Sequence, residues 1–244
     1  MKMPPIHISL KAENIFYLLG IPVSNSMITT WLVMVFLISL SLITYTRLSL
    51  IPGYLQIALE LLVGGLYSLF KEILEEKIDK FFPFIITLFI FIIFVNWSGI
   101  LPGIGTIGVT EHKEFIPLFR AGTADLNMTL ALATLTIFYV QYAGLQSLGI
   151  VYLKKFFDIT NPLNFIIGIL ELISEISRII SFTFRLFGNI FAGEVLLTVI
   201  AFLMPVLAPI PFLGLELFVG FIQALVFSML AAVFFALAVT HAEY

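Results

Sequence analysis

Long apolar runs, separated by short charged or Pro/Gly-bearing stretches, set the pattern of this chain. The run at 26–47 is apolar from Met27 to Tyr45 and stops at Arg47. A spanning helix needs about 20 predominantly apolar residues, so this run predicts a first membrane span behind a polar N-terminal tail (1–25). Ile51-Pro52-Gly53 then signals a turn. Residues 54–80 begin apolar and end on Lys71, Glu72, Glu75, Glu76, Lys77, Asp79 and Lys80, which predicts an amphipathic, membrane-associated helix finishing in water. Further spans are predicted at 81–101, closed by Leu101-Pro102-Gly103, and at 124–150, which carries Asp125, Asn127 and Gln141.

Beyond Pro162, residues 161–203 are free of proline. Roughly 40 helical residues at a rise of ~1.5 Å reach about 60 Å, twice the ~30 Å hydrocarbon thickness. Such a helix cannot stand upright in a bilayer. It either breaks, near Gly188 or Gly193, or lies strongly tilted. Pro205, Pro209 and Pro211 mark a turn, and 212–240 forms a last helix, antiparallel to its predecessor. The expected fold is therefore all-α and polytopic. It has about five membrane helices, one membrane-associated helix, and a tilted hairpin of two long helices at the end. The chain lacks an internal repeat, so 1–244 is read as a single membrane domain.

Composition strengthens this reading. Hydrophobic residues make up 61% and charged residues only 11%, against about 25% charged in a soluble domain. A net charge of −3 gives no reason to expect a nucleic-acid partner. The absence of Cys excludes disulfides, thiolate metal sites and Cys nucleophiles. No His-Glu-x-x-His, Gly-x-Ser-x-Gly or phosphate loop occurs, so neither an intramembrane enzyme nor a bound cofactor or metal is expected. With the N-terminus outside, inner segments hold Arg47, Lys71, Lys77, Lys80, Lys154 and Lys155, and outer ones hold Lys2, Lys11, Lys113 and Arg120. The positive-inside rule favours that orientation.

Against this background the intramembrane charges stand out, because each costs several kcal/mol on insertion scales of ~2.5–3.5 and so needs a partner or a wet cavity. At ~100° per residue, Asn164, Glu171, Glu175, Arg178, Arg185 and Asn189 fall within an arc of roughly 80°, with Ser174 and Ser181 at its edge. Glu194 lies nearly opposite. On the last helix Glu216 and Gln223 are two turns apart on one face, with Gly220 between them. Glu175 and Arg178, three apart, form either a structural ion pair or part of an ion path. Arg185 has Ser181, Phe182, Gly188 and Asn189 at its helical neighbour positions, and none is an acid. It stays protonated at all accessible pH. Such a cation repels protons moving along a water and carboxylate path and attracts a mobile carboxylate. The plainer alternative is a pair with a local acid such as Asp125. His112 is read as a loop residue or a channel gate, and Trp31 and Trp97 as interfacial anchors.

Arg185-Leu186-Phe187-Gly188-Asn189, followed by Ala192-Gly193-Glu194, closely resembles the signature of the ATP synthase subunit a family. Asn96-Trp97-Ser98-Gly99, Thr123-Ala124-Asp125-Leu126-Asn127-Met128-Thr129 and Gly220-Phe221-Ile222-Gln223-Ala224 resemble further family segments in the same order. The resemblance implies a non-catalytic stator subunit that conducts protons past a rotor ring of c-subunits. It also implies a peripheral-stalk b-subunit, the remaining synthase subunits and membrane lipid as partners, in a bacterial inner membrane or an organellar membrane. By position, Arg185 matches the arginine that faces the rotor carboxylate, and Asn189 and Gln223 the polar residues beside it. Glu194 and Glu216 match the half-channel positions, and Asp125 and Asn127 residues near its outer entrance. Glu171 and Glu175 are the candidates for the inner path. The rivals are an ion channel or a secondary transporter of another family. The latter lacks support without an inverted repeat.

Overall fold

The structure is a computed structural model, and it describes residues 12–18, 20–101, 107–111, 114–156, 162–204 and 207–240. His7, His112 and His241, and the lysines Lys2, Lys11 and Lys113 used for orientation, lie outside the described residues. Helices dominate. They are α1 (Asn25–Thr46), α2 (Tyr54–Leu74), α3 (Ile78–Ser98), α4 (Leu126–Leu148), the short α5 (Ile150–Lys154), α6 (Pro162–Leu203) and α7 (Pro209–Thr240). Two antiparallel hairpins complete the list, β1 (Asn14–Leu18) with β2 (Ile21–Ser24), and β3 (Gly108–Glu111) with β4 (Glu114–Pro117). Residues 14–24, read as part of a polar tail, thus carry a paired ribbon.

Among the described residues, five helical stretches are long and apolar enough to cross a membrane: Asn25–Thr46, Gln56–Ser98, Leu126–Leu148, Pro162–Leu203 and Pro209–Val239. The expected all-α polytopic fold is the observed one. In hydrocarbon every backbone N–H and C=O needs an internal partner, and an α-helix supplies them within one segment. The charges of 71–80 surround a break: α2 stops at Leu74, Glu75–Lys77 form a single 3-10 turn, and Glu75 takes φ +49°. That backbone region is uncommon for a residue with a Cβ, and it redirects the chain into α3. The long segment does not break at Gly188 or Gly193. α6 is one helix of 42 residues, which at ~1.5 Å per residue exceeds the ~30 Å hydrocarbon layer twofold.

Two compact units make up the chain. The first comprises Met1–Leu48, Phe89–Thr129 and Arg185–Leu225. Its α1 starts under a side-chain cap, Met27 N–H donating to Ser24 Oγ at 3.4 Å. Asn96 ties three segments together. Its amide donates to the Gly220 carbonyl (3.0 Å), and its carbonyl accepts from Thr123 Oγ1 (2.6 Å). Next to it, the Trp97 indole donates to the Leu217 carbonyl at 3.0 Å, so this ring packs on α7 through a hydrogen bond. Gly220 makes the approach possible, since a Cβ there would lie 3.2 Å from the Asn96 Cβ.

The second unit comprises Ser49–Leu88, Leu130–Phe184 and Val226–Tyr244. Its core is aromatic: Phe70, Phe81 and Phe235 are fully buried with Ile85, Val140 and Ala232. Phe235 stacks on Phe81 at 4.7 Å between centroids and meets Phe84 and Tyr139 edge-on at 5.8 and 5.3 Å. Lipid is as apolar as these rings, so close packing and ring geometry stabilise the cluster rather than escape from water. Phe→Ala in a packed core costs ~3–5 kcal/mol in soluble proteins. With lipid as the competing environment the loss is smaller, because only close packing is forfeited. Phe235→Ala should therefore lower the thermal midpoint of the detergent-solubilised protein by several degrees, whereas the exposed Leu237→Ala should leave it within error.

Candidate functional site

The first unit gathers most of the polar residues singled out from the sequence. Asn189 on α6 donates from Nδ2 to Gln223 Oε1 on α7 at 2.6 Å. Gln223 is buried, and its Nε2 has no hydrogen-bond partner among the described residues. One helical turn before Asn189 stands Arg185, half-buried and outside ion-pair distance of any acid among the described residues. The local alternative fails on this point: Asp125 is engaged elsewhere.

Asp125 is buried and immediately precedes α4. It accepts from Ser26 Oγ at 2.7 Å and from the Asn127 N–H at 3.0 Å, and so caps α4 while fastening it to the start of α1. Asn127 is exposed. Neither residue contacts Glu194 or Glu216 through a hydrogen bond or ion pair among the described residues.

Glu194, on the face of α6 away from the polar stripe, finds a partner the sequence reading missed. Arg120 Nε lies 3.0 Å from its Oε1 and 3.1 Å from its Oε2. Arg120 sits just before α4, with its guanidinium 5.9 Å from the Phe191 ring centre. In the sequence the residue carries no periodic signal. Only its place five positions before Asp125, at the end of a predicted loop, set it apart. Glu216 on α7 is buried, with Oε2 unpartnered among the described residues. It packs on Gly193: a Cβ at that position would lie 2.9 Å from Glu216 Oε1. Gly193 thus makes room for a carboxylate.

Glu171 and Glu175 belong to the second unit and are held by cations. Lys155 Nζ is 2.6 Å from Glu171 Oε1, Arg178 is 3.9 Å from the same oxygen, and Arg178 pairs closely with Glu175. The Arg178 guanidinium also lies 4.7 Å from the centre of the Phe234 ring. Glu175 keeps one buried oxygen, Oε2, without a hydrogen bond among the described residues. Beside this network Tyr152 donates to Gln141 Oε1 at 2.7 Å. Burial, and then the charge of Glu175, push the Tyr152 hydroxyl up to about 12, so it remains a neutral donor.

Glu216 thus keeps a carboxylate oxygen without a hydrogen bond among the described residues, packed on Gly193, while the adjacent Glu194 is paired with Arg120. The ATP synthase A chain family model matches residues 27–236, a range that includes all the side chains just described except Ser26. The chain is 33% identical to ATP synthase subunit a of Moorella thermoacetica over 228 residues, 93% of this chain and 96% of that one. It is 38% identical to the subunit of Gloeobacter violaceus over 209 residues (85% and 80% of the two chains). With that of Legionella pneumophila the identity is 34% over 227 residues (92% and 90%). The chain belongs to the ATP synthase subunit a family. It is an integral membrane protein, and its bacterial relatives and five apolar spans assign it to the inner membrane.

Both the Arg185–Asn189 and the Ala192–Glu194 runs of α6 meet α7, Asn189 as the partner of Gln223 and Gly193 as the seat of Glu216. Gly193→Ala should push the Glu216 carboxylate from its place. ATP-driven acidification of vesicles containing the whole complex, followed with a pH-sensitive dye, should fall several-fold while the complex still assembles. Unchanged acidification would show that the close approach is immaterial.

Proposed function

We propose that this chain is the stationary proton-conducting subunit of a rotary ATP synthase, working against a ring of c-subunits and held by the b-subunit stalk. It forms no covalent bonds with substrate, and ATP chemistry belongs to other subunits of the complex. Membership of the subunit a family supports the coarse reading. The single observation that carries the finer one is Arg185: a permanent cation on a membrane helix with no acid in ion-pair reach among the described residues. A charge so placed calls for a carboxylate from another chain.

Protons enter an outer half-channel, with Asp125 and Asn127 near its entrance and Glu216 and Glu194 along it. They neutralise a rotor carboxylate, which then crosses the lipid uncharged. The rotor returns that group to Arg185, where ionisation is favoured, and the proton leaves by an inner path that includes Glu171 and Glu175. Asn189 and Gln223 hold their mutual hydrogen bond at 2.6 Å, which fixes the polar surroundings of the arginine on two helices. A guanidinium cannot release its proton, so Arg185 carries no protons itself and blocks passage from one half-channel to the other. A membrane potential supplies ~2.3 kcal/mol per charge per 100 mV, and the block makes that energy available only through rotation.

Arg185→Ala should abolish both ATP-driven proton pumping and ATP synthesis in reconstituted vesicles. Normal ATP synthesis in that variant would contradict the assigned role. Glu216→Gln should slow proton flux at least several-fold without opening a passive leak, measured as the decay of an imposed pH gradient. Undiminished flux would remove Glu216 from the path.

A further inference from the structure

Arg120, the ion-pair partner of Glu194, has no part in the proposed function. Three observations bear on it. First, the pair is asymmetric: the Arg120 side chain is only 8% exposed, whereas that of Glu194 is 38% exposed. The cation is buried in protein, and the side chain of its partner is the more accessible of the two. Second, the arginine is fixed from several sides. Its backbone N–H donates to Thr29 Oγ1 of α1 at 3.1 Å, and its guanidinium lies over Phe191 of α6. The residues that follow, Ala121 and Ala124, are buried against Ile190 of α6, one turn before Glu194. Third, the neighbouring acid is treated differently. Glu216 has one buried oxygen without a hydrogen bond among the described residues and packs on Gly193.

From these observations we infer that Arg120 is a positioning residue for proton transfer: from behind, it clamps the Glu194 carboxylate with its open side toward the proton path. Arg120 does not itself exchange protons. The Nε–H of Arg120 donates a charge-assisted hydrogen bond to Glu194 Oε2 with Oε1 equally near, and such bonds are shorter and stronger than neutral ones. Without the clamp, Glu194 is a flexible carboxylate on an exposed helix face and samples rotamers turned away from the path. The clamp also divides the labour of the two acids. Glu194 is aimed and charge-compensated, and Glu216 is left free to take and give a proton. This inference rests on the proton-channel reading of the same site, and it adds the residue that orients one of its acids.

The test uses the complete ATP synthase in reconstituted vesicles, with assembly checked by the subunit content of the purified complex. ATP-driven proton pumping is compared for wild type, Arg120→Gln, Arg120→Lys, Glu194→Gln and the double variant Arg120→Gln/Glu194→Gln. Arg120→Gln should lower pumping about tenfold or more, and Arg120→Lys, which keeps a cation at the site, should recover most of it. The double variant should pump no less than Glu194→Gln alone, because an arginine that acts through Glu194 has nothing left to act on. Equal loss in the Lys and Gln variants, or multiplied losses in the double variant, would overturn the inference. If Arg120→Gln fails to assemble, neutralising its partner in the double variant should restore assembly, and a double variant that also fails would equally overturn it. Arg185→Ala, run alongside, separates the two levels. Lost synthesis there with wild-type pumping in Arg120→Gln refutes the clamp alone, whereas retained synthesis refutes the rotary reading beneath it.

Discussion

A guanidinium in a membrane helix cannot be neutralised and cannot be left alone. That constraint governs the arrangement around Arg185. Desolvation makes the charge expensive, and its proton affinity closes the usual escape of losing the charge. Within the described part of the chain no acid lies in ion-pair distance of it, although four carboxylates stand on the long helices that carry the site and a fifth, Asp125, just before α4, and four of the five are engaged with other groups. Glu194 is taken by Arg120, Glu171 and Glu175 by Lys155 and Arg178, and Asp125 by Ser26 and the start of α4. Among the described residues, Arg185 is thus left without an acid in ion-pair reach, while four of those carboxylates are engaged elsewhere.

The same economy separates two kinds of acid. Asp125 serves as a helix cap and a fastening between α1 and α4, a structural duty that the motif alone does not reveal. Glu216 has the opposite character: buried, unpartnered at one oxygen among the described residues, and admitted only because residue 193 has no side chain. Buried polar groups usually find partners, which sets the Glu216 oxygen apart from the paired carboxylates of the same unit. Glycine in the Ala192-Gly193-Glu194 run is thereby explained by what lies across from it on another helix.

Hydrogen bonds from side chains to helix carbonyls do much of the tying in the first unit. Asn96 and Trp97 reach the carbonyls of Gly220 and Leu217, and Thr123 completes the Asn96 bond. In lipid the hydrophobic effect does not drive helices together, so such bonds and close packing at small residues carry the association. The second unit solves the same problem with rings around Phe235. Both solutions hold α7 firmly enough for a polar side chain on it to keep a defined partner.

Amino-acid order alone determined the membrane class, the spans and the polar stripe of α6, because a period near 3.6 and a bilayer of known thickness convert spacing into position. It also isolated Arg185, since the absence of an acid at its helical neighbours can be read directly. The ribbon at 14–24 was hidden, because it is short and carries no apolar period. Tertiary structure decided which charge met which: Arg120 with Glu194, Lys155 with Glu171, Asn189 with Gln223, and Gly193 with Glu216. Helical periodicity assigns a residue its angle on its own helix and says nothing of what a neighbouring helix or loop places opposite. A loop residue such as Arg120 has no period at all, so only the folded chain could disclose its partner.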